Sequence, residues 1–136
     1  MEVKLGAIVD AKETLSLLNK KECFSVSTAY HLMKNTKVIR SEEELYNQQR
    51  EKICKKYAKK DPDGNPILVE VDGRRLYSFP EENQQPVIKD LIALKMQTVN
   101  VDLYKISLNE LEQAELTPNQ LESIEFMLEV DGEEEE

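Results

Sequence analysis

Between Ser27 and Lys60 the chain runs for 34 residues without a Gly or a Pro. Leu32, Ile39, Tyr46 and Ile53 recur at every seventh position of that stretch, and Met33, Val38, Leu45, Cys54 and Tyr57 widen the line into a stripe. A seven-residue apolar recurrence keeps one face of a helix in the same direction over several turns. Ser25 or Ser27 supplies a first-turn cap. The segment Asp61-Pro62-Asp63-Gly64-Asn65-Pro66 must end the helix, because Pro62 cannot continue it and disfavours the helical region at Asp61.

A helix of this length extends on the order of 50 Å at its rise per residue. It cannot bury its own stripe, so other parts of the chain, or another subunit, must cover it. The second apolar positions of a heptad would be Thr36, Glu43, Arg50 and Tyr57, three of them polar, which fits a two-stranded coiled coil poorly. The expected arrangement is a helix packed on another helix at one end and a small sheet at the other. A homodimer seam along Leu32, Ile39, Tyr46 and Ile53 is the second reading, and the two are compatible.

The flanking segments read as α+β. Val3 to Leu5 suits a short strand, and Ile8, Ala11, Leu15 and Leu18 place a helix over about Gly6 to Asn19. A short link into the long helix predicts an antiparallel helical hairpin. Ile67 to Val71 and Arg74 to Phe79 flank Asp72-Gly73, a strong two-residue turn signal. The register this sets pairs Glu70 with Arg75, Val69 with Leu76 and Leu68 with Tyr77. A helix is expected over Pro86 to Met96, or from nearer Glu81. Val99, Val101 and Leu103 alternate with Asn100 and Asp102, which predicts a half-buried strand joining the hairpin in a three-stranded antiparallel sheet. Ser107…Glu110 and Thr117-Pro118…Gln120 are capping boxes, the second opening a helix to about Glu129.

The length of 136 residues fits one α+β domain over residues 1–130, with residues 131–136 as a mobile acidic tail. The uncharged apolar runs fall far short of the ~20 residues of a membrane span, and the first residues lack the pattern of a signal peptide. Cys23 and Cys54 read as reduced thiols, pointing to a cytoplasm. The net charge of −9 is uneven: Ser107 to Glu136 holds 11 acids and no base, leaving 16 acids against 18 bases elsewhere.

Two charged groups are therefore candidate surfaces. One is basic: Arg50, Lys52, Lys55, Lys56 and Lys59, with Arg74 and Arg75 of the hairpin. Its simplest explanation is complementation of the helix dipole. The other is an acidic face, Glu122, Glu125 and Glu129, suited to a basic partner or simply to solvent. The overall −9 argues against nucleic acid, whose phosphates need positive potential. No constellation points to catalysis. His31 is the only histidine and lacks zinc-type neighbours. The Asp61 loop resembles a calcium loop, but Gly64 falls at its position 4 and Pro66 at its position 6, where an EF-hand needs Gly. No metal and no cofactor are expected.

Three stretches together resemble a small uncharacterised protein family of tailed phages and prophages of Gram-positive bacteria. They are Lys4-Leu5-Gly6-Ala7-Ile8-Val9-Asp10-Ala11-Lys12, the hairpin preceded by Asp63-Gly64-Asn65, and the ending Ile106-Ser107-Leu108-Asn109-Glu110-Leu111 with Leu116-Thr117-Pro118-Asn119-Gln120-Leu121. These motifs are caps, turns and core positions, so no functional residue is carried over. The resemblance implies a phage accessory protein in the cytoplasm of a bacterial host. It would act without catalysis, by binding a host or phage protein: as an inhibitor of a host enzyme or defence complex, or as a morphogenesis or tail-assembly factor. A binder of a small ligand or signalling nucleotide at a subunit interface is a further reading.

Overall fold

In a computed structural model, which describes residues 1–129, the chain is α+β. Its contacts gather into two units, Met1–Glu44 with the chain from Gln97 onward, and Leu45–Met96. The helix α2, Val26–Tyr57, contributes its first part to one unit and its last part to the other.

The first unit begins with β1, Glu2–Lys4, running directly into α1, Leu5–Asn19. Ile8, Ala11, Leu15 and Leu18 are sealed from solvent, as their helical spacing predicts. The start of α2 is capped by Ser25, whose Oγ accepts from the Thr28 amide at 3.2 Å. Two contacts fix the direction of α1 against α2. Asn19 Nδ2 donates to Thr36 Oγ1 at 2.6 Å, and Lys12 pairs with Glu43 at 3.3 Å. Moving back along α1 while moving forward along α2 makes the pair antiparallel, as the short link predicts.

Thr98–Asn100 forms β4, but its partner is β1 and not the hairpin: Glu2 faces Asn100, Val3 faces Val99 and Lys4 faces Thr98. Period-2 alternation marks a half-buried strand without saying what it pairs with. Here the Leu5 amide donates to Gln97 O at 2.9 Å and the Val101 amide to Met1 O at 2.8 Å, closing both ends of the β1–β4 ladder. The three-stranded sheet is thus replaced, among the described residues, by two-stranded ladders.

The strand also stops sooner than the alternation suggests, and further along Asn35 holds the backbone. The Asn35 amide donates from Nδ2 to Tyr104 O at 2.9 Å and accepts at Oδ1 from the Tyr104 amide at 2.8 Å. With both backbone groups of Tyr104 held by one side chain, the segment after Asn100 follows α2 as an irregular chain. Ile106–Ser107, β5, then leads into a 3₁₀ helix over Leu108–Ala114, with the predicted box formed by Ser107 and Glu110. The same Glu110 carboxylate accepts from Thr28 Oγ1 at 2.8 Å, which ties this turn to the start of α2.

The second box, Thr117 with Gln120, opens α4 as predicted, but α4 spans only Pro118–Ser123. Ser123 Oγ turns back to Gln120 O at 2.6 Å and lies 2.7 Å from Thr14 Oγ1. The chain continues as a 3₁₀ turn, Glu125–Met127, and then β6, Leu128–Glu129, parallel to β5. A continued α-helix would carry Ile124 and Leu128 inward together, whereas here Ile124 and Met127 are the sealed pair. The expected acidic tail, residues 131–136, lies outside the described residues.

The second unit holds the last turns of α2, the hairpin β2, Leu68–Val71, with β3, Arg74–Tyr77, and the helix α3, Glu81–Lys95. The register of the hairpin is the predicted one. Asp72 (φ 52°) and Gly73 (φ 79°) both take the left-handed region that its two-residue turn demands. α3 starts at Glu81, the earlier of the two expected origins, and carries Pro86 inside it. Lys59 ties the hairpin to α2: its amide donates to Ser78 O at 2.7 Å, and its carbonyl accepts from Ile67 at 2.8 Å. The Asp61 loop is a turn. Asp61 Oδ1 accepts from the amides of Asp63 and Asn65 at 3.0 and 2.9 Å.

Candidate functional site

The heptad line does not present a seam. Leu32, Ile39 and Tyr46 are buried within the single chain, and Ile53 is half-buried. Periodicity identifies the face of a helix that is covered, and the chain itself covers most of this one. The large apolar side chains that α2 does expose are others, Val26, Tyr30, Met33 and Leu45.

The basic residues Arg50, Lys52, Lys55, Lys56, Lys59, Arg74 and Arg75 are all exposed. Several have local duties. Arg50 lies 4.0 Å from Glu51, Lys56 sits 5.1 Å over the Tyr57 ring, and Arg75 faces Glu70 across the hairpin. Lys60 donates to the carbonyls of Lys55 and Ala58, closing the C-terminus of α2 with a cation where the dipole favours one.

The acidic residues Glu122, Glu125 and Glu129 are exposed but do not share one helical face. Glu122 lies on α4, Glu125 opens the following 3₁₀ turn and Glu129 lies on β6. A single acidic stripe needed α4 to continue, and it does not.

His31 stacks on Tyr104, with ring centroids 4.2 Å apart and planes 13° from parallel. Together with Asn35 this fixes the irregular segment against α2. Lys34 reaches over Tyr30 at 5.6 Å beside a shallow groove of about 400 Å3 that includes Tyr104. Among the described residues, no three His, Cys, Asp or Glu side chains converge as metal ligands would, and no helix is long and apolar enough to cross a membrane. Cys54 is buried, and that burial raises its thiol above the ordinary range, with Arg50 opposing and Glu51 adding to the shift.

The unexpected surface lies in the second unit. α3 buries Val87 while exposing Ile88, Ile92 and Met96 at 48%, 57% and 55%. Their spacing is i, i+4, i+8, a solvent-exposed stripe along one side of the helix. Asp90, on the same helix, accepts from Tyr57 Oη at 2.7 Å, and Asn83 Nδ2 donates to Tyr57 O at 2.9 Å, so two turns of α3 are pinned to the end of α2. Beside the stripe runs a groove of about 680 Å3 lined by Tyr57, Pro86, Ile88, Lys89 and Ile92.

The hairpin is apolar on its open face as well. Glu51 on α2 accepts a short hydrogen bond from Tyr77 Oη, which pushes the Tyr77 phenol up to about 12. Residues two apart on a strand share a face, so Leu68, Glu70, Arg75 and Tyr77 lie on that side. Val69, Val71 and Leu76 lie on the other, exposed at 41%, 47% and 44%. The α3 stripe was readable in the sequence as the apolar residues Ile88 and Ile92 beside the line Val87, Leu91 and Leu94. What the sequence lacked was any sign that one of these two lines would go uncovered.

No protein-family model matches the chain, and neither the comparison with curated proteins nor that with solved structures finds a match.

Proposed function

We propose that this chain is a phage-encoded accessory protein that acts by binding a bacterial host protein, and not by catalysis, in the cytoplasm of the host. The phage assignment rests on the resemblance of the caps and turns described above. The observation that supports binding is the Ile88–Ile92–Met96 stripe of α3 and the groove beside it. Stripes of this kind, rimmed by polar residues, mark protein-interaction surfaces. Residues 45–96 carry ten Lys or Arg against eight Asp or Glu, a net +2, so the remainder of the chain carries −11. The surface therefore suits a partner that offers an apolar helix or ridge flanked by acidic groups. Blocking a host enzyme or defence complex is the inhibitory action such docking serves.

The test uses the tagged chain and its Ile92→Glu variant against extracts of infected and uninfected cells. The captured protein is then purified and recombined with the chain as a two-component complex. Capture of a host protein from both extracts, lost with Ile92→Glu, is the expected result. Capture of a virion protein from infected cells alone would replace inhibition with a role in morphogenesis or tail assembly. A reconstituted complex indifferent to Ile92→Glu would remove the α3 surface from the reading.

A further inference from the structure

The edge of β2 is an open strand edge, and its residue pattern selects its own copy. The Ser78 amide donates to Ile67 O at 3.1 Å, so Ile67 and Ser78 face each other across the inner side of the hairpin. By strand alternation Val69 and Val71 also point their backbone groups inward, at Leu76 and Arg74. The N–H and C=O groups of Leu68 and Glu70 then point out along the free edge of β2. All four residues of β2 are exposed. Strand edges are ordinarily defended by shortness, by charged side chains, by Pro or by a bulge, and a four-residue strand such as β2 has the first of these. β3 is defended by charge as well, through Arg74 and Arg75, whereas β2, Leu68-Val69-Glu70-Val71, carries one charge and no proline.

We propose that β2 pairs antiparallel with β2 of a second copy across a twofold axis at Val69, joining two hairpins into one four-stranded sheet. Three registers could bring the outward groups together. Glu70 opposite Glu70 sets like charges side by side. Leu68 opposite Leu68 places Glu70 against Pro66, which has no N–H to give. Leu68 opposite Glu70 of the second copy satisfies all the outward groups and makes four interstrand hydrogen bonds.

In that register each Glu70 keeps its own Arg75 on one side and gains Leu68 of the other copy on the other side. The opposite face becomes one apolar row: Leu76, Val69, Val69 and Leu76. A four-residue edge is small beside the roughly 800 Å2 that each partner buries in a standard interface. The dimer is therefore weak and concentration-dependent. It uses residues separate from the α3 stripe, so either surface can fail without the other.

Two variants test it in the full chain, by sedimentation equilibrium over a wide concentration range and by oxidative cross-linking. Val69→Lys sets two ammonium groups against each other at the axis while altering a side chain the monomer leaves exposed. It is expected to weaken the dimer roughly tenfold or more. Val69→Cys, in a Cys23→Ser background, puts two thiols at a non-hydrogen-bonded antiparallel pair. The Cα separation there, about 4.5 Å, lies within disulfide range. Val71→Cys is the control, since its copy lies four residues away along the strand, about 13 Å. Reversible dimerisation of the wild type, its loss with Val69→Lys, and cross-linking of Val69→Cys but not Val71→Cys are the expected results. A monomer at every concentration, a dimer untouched by Val69→Lys, or equal cross-linking of the two cysteine variants would overturn the pairing.

Discussion

Replacing Asn35 with Leu tests how the first unit holds its irregular segment. Asn35 is 1% exposed and makes two bonds to the backbone of Tyr104, at 2.8 and 2.9 Å, with a longer contact of 3.6 Å to Met127 Sδ. Leu has the same branched skeleton with bulkier methyl ends, so no cavity is created and the main loss is that of the hydrogen bonds. Each backbone group left without a partner costs about 1–3 kcal/mol when buried, and water reaching the partly buried segment softens this. Burial of the added apolar surface returns roughly 1 kcal/mol. The net loss should be about 2–3 kcal/mol, taken from a total stability of only about 5–15 kcal/mol. For a chain of this size that lowers the melting temperature by about 6–15 °C. Urea unfolding followed by circular dichroism measures the loss directly. A variant within about 0.5 kcal/mol of the wild type would mean that the segment finds other partners at no cost.

Thr117→Ala removes the cap that accepts from the Gln120 amide at 3.2 Å and should cost about 1 kcal/mol, read as a lower melting temperature. Gly73→Ala meets no atom within 4 Å, yet its φ of 79° charges a side chain roughly 1–2 kcal/mol of backbone strain. Faster amide exchange at Val69 and Val71, with that in α1 unchanged, would locate the effect in the hairpin. Tyr77→Phe removes the bond to Glu51 that raises the phenol above its ordinary 10 to about 12. A raised pKa stabilises the protonated form, so the advantage of wild type over Tyr77→Phe should be complete below pH 10 and disappear as pH rises toward 12. A stability difference that persists unchanged at the alkaline end would contradict this.

The fold was legible wherever a local rule acts alone. The caps at Ser25, Ser107 and Thr117, the left-handed turn at Asp72-Gly73 and the register of the hairpin all follow from residues within a few positions of one another. Pairing over long distances was not legible. β4 pairs with β1 from the other end of the described chain, a tertiary contact that alternation at Val99 does not encode. Asn35 could have been noticed: it sits three residues after Leu32 and four before Ile39, a polar group on the apolar line, and such a group must find partners when buried. The candidate site was missed for a related reason. Apolar content announces burial, but not what does the burying, so a seam along Leu32 and Ile39 stood beside burial within the chain, while nothing marked Ile88 and Ile92 as exposed.

The second unit makes that ambiguity physical. A two-stranded hairpin is marginal in water unless its apolar face is packed. Here β2–β3 is fixed at its base by Lys59 and at one point by Tyr77 on Glu51, while Val69, Val71 and Leu76 stay open on the far side. Alternation of apolar and polar residues, the usual mark of a sheet with one wet face, is missing: both Leu68 and Val69 are apolar, and both are exposed. Ile88, Ile92 and Met96 of α3 stay exposed as well, while Val87 on the same helix is buried. Under the proposed reading, these exposed apolar faces are where a partner would gain free energy by burial.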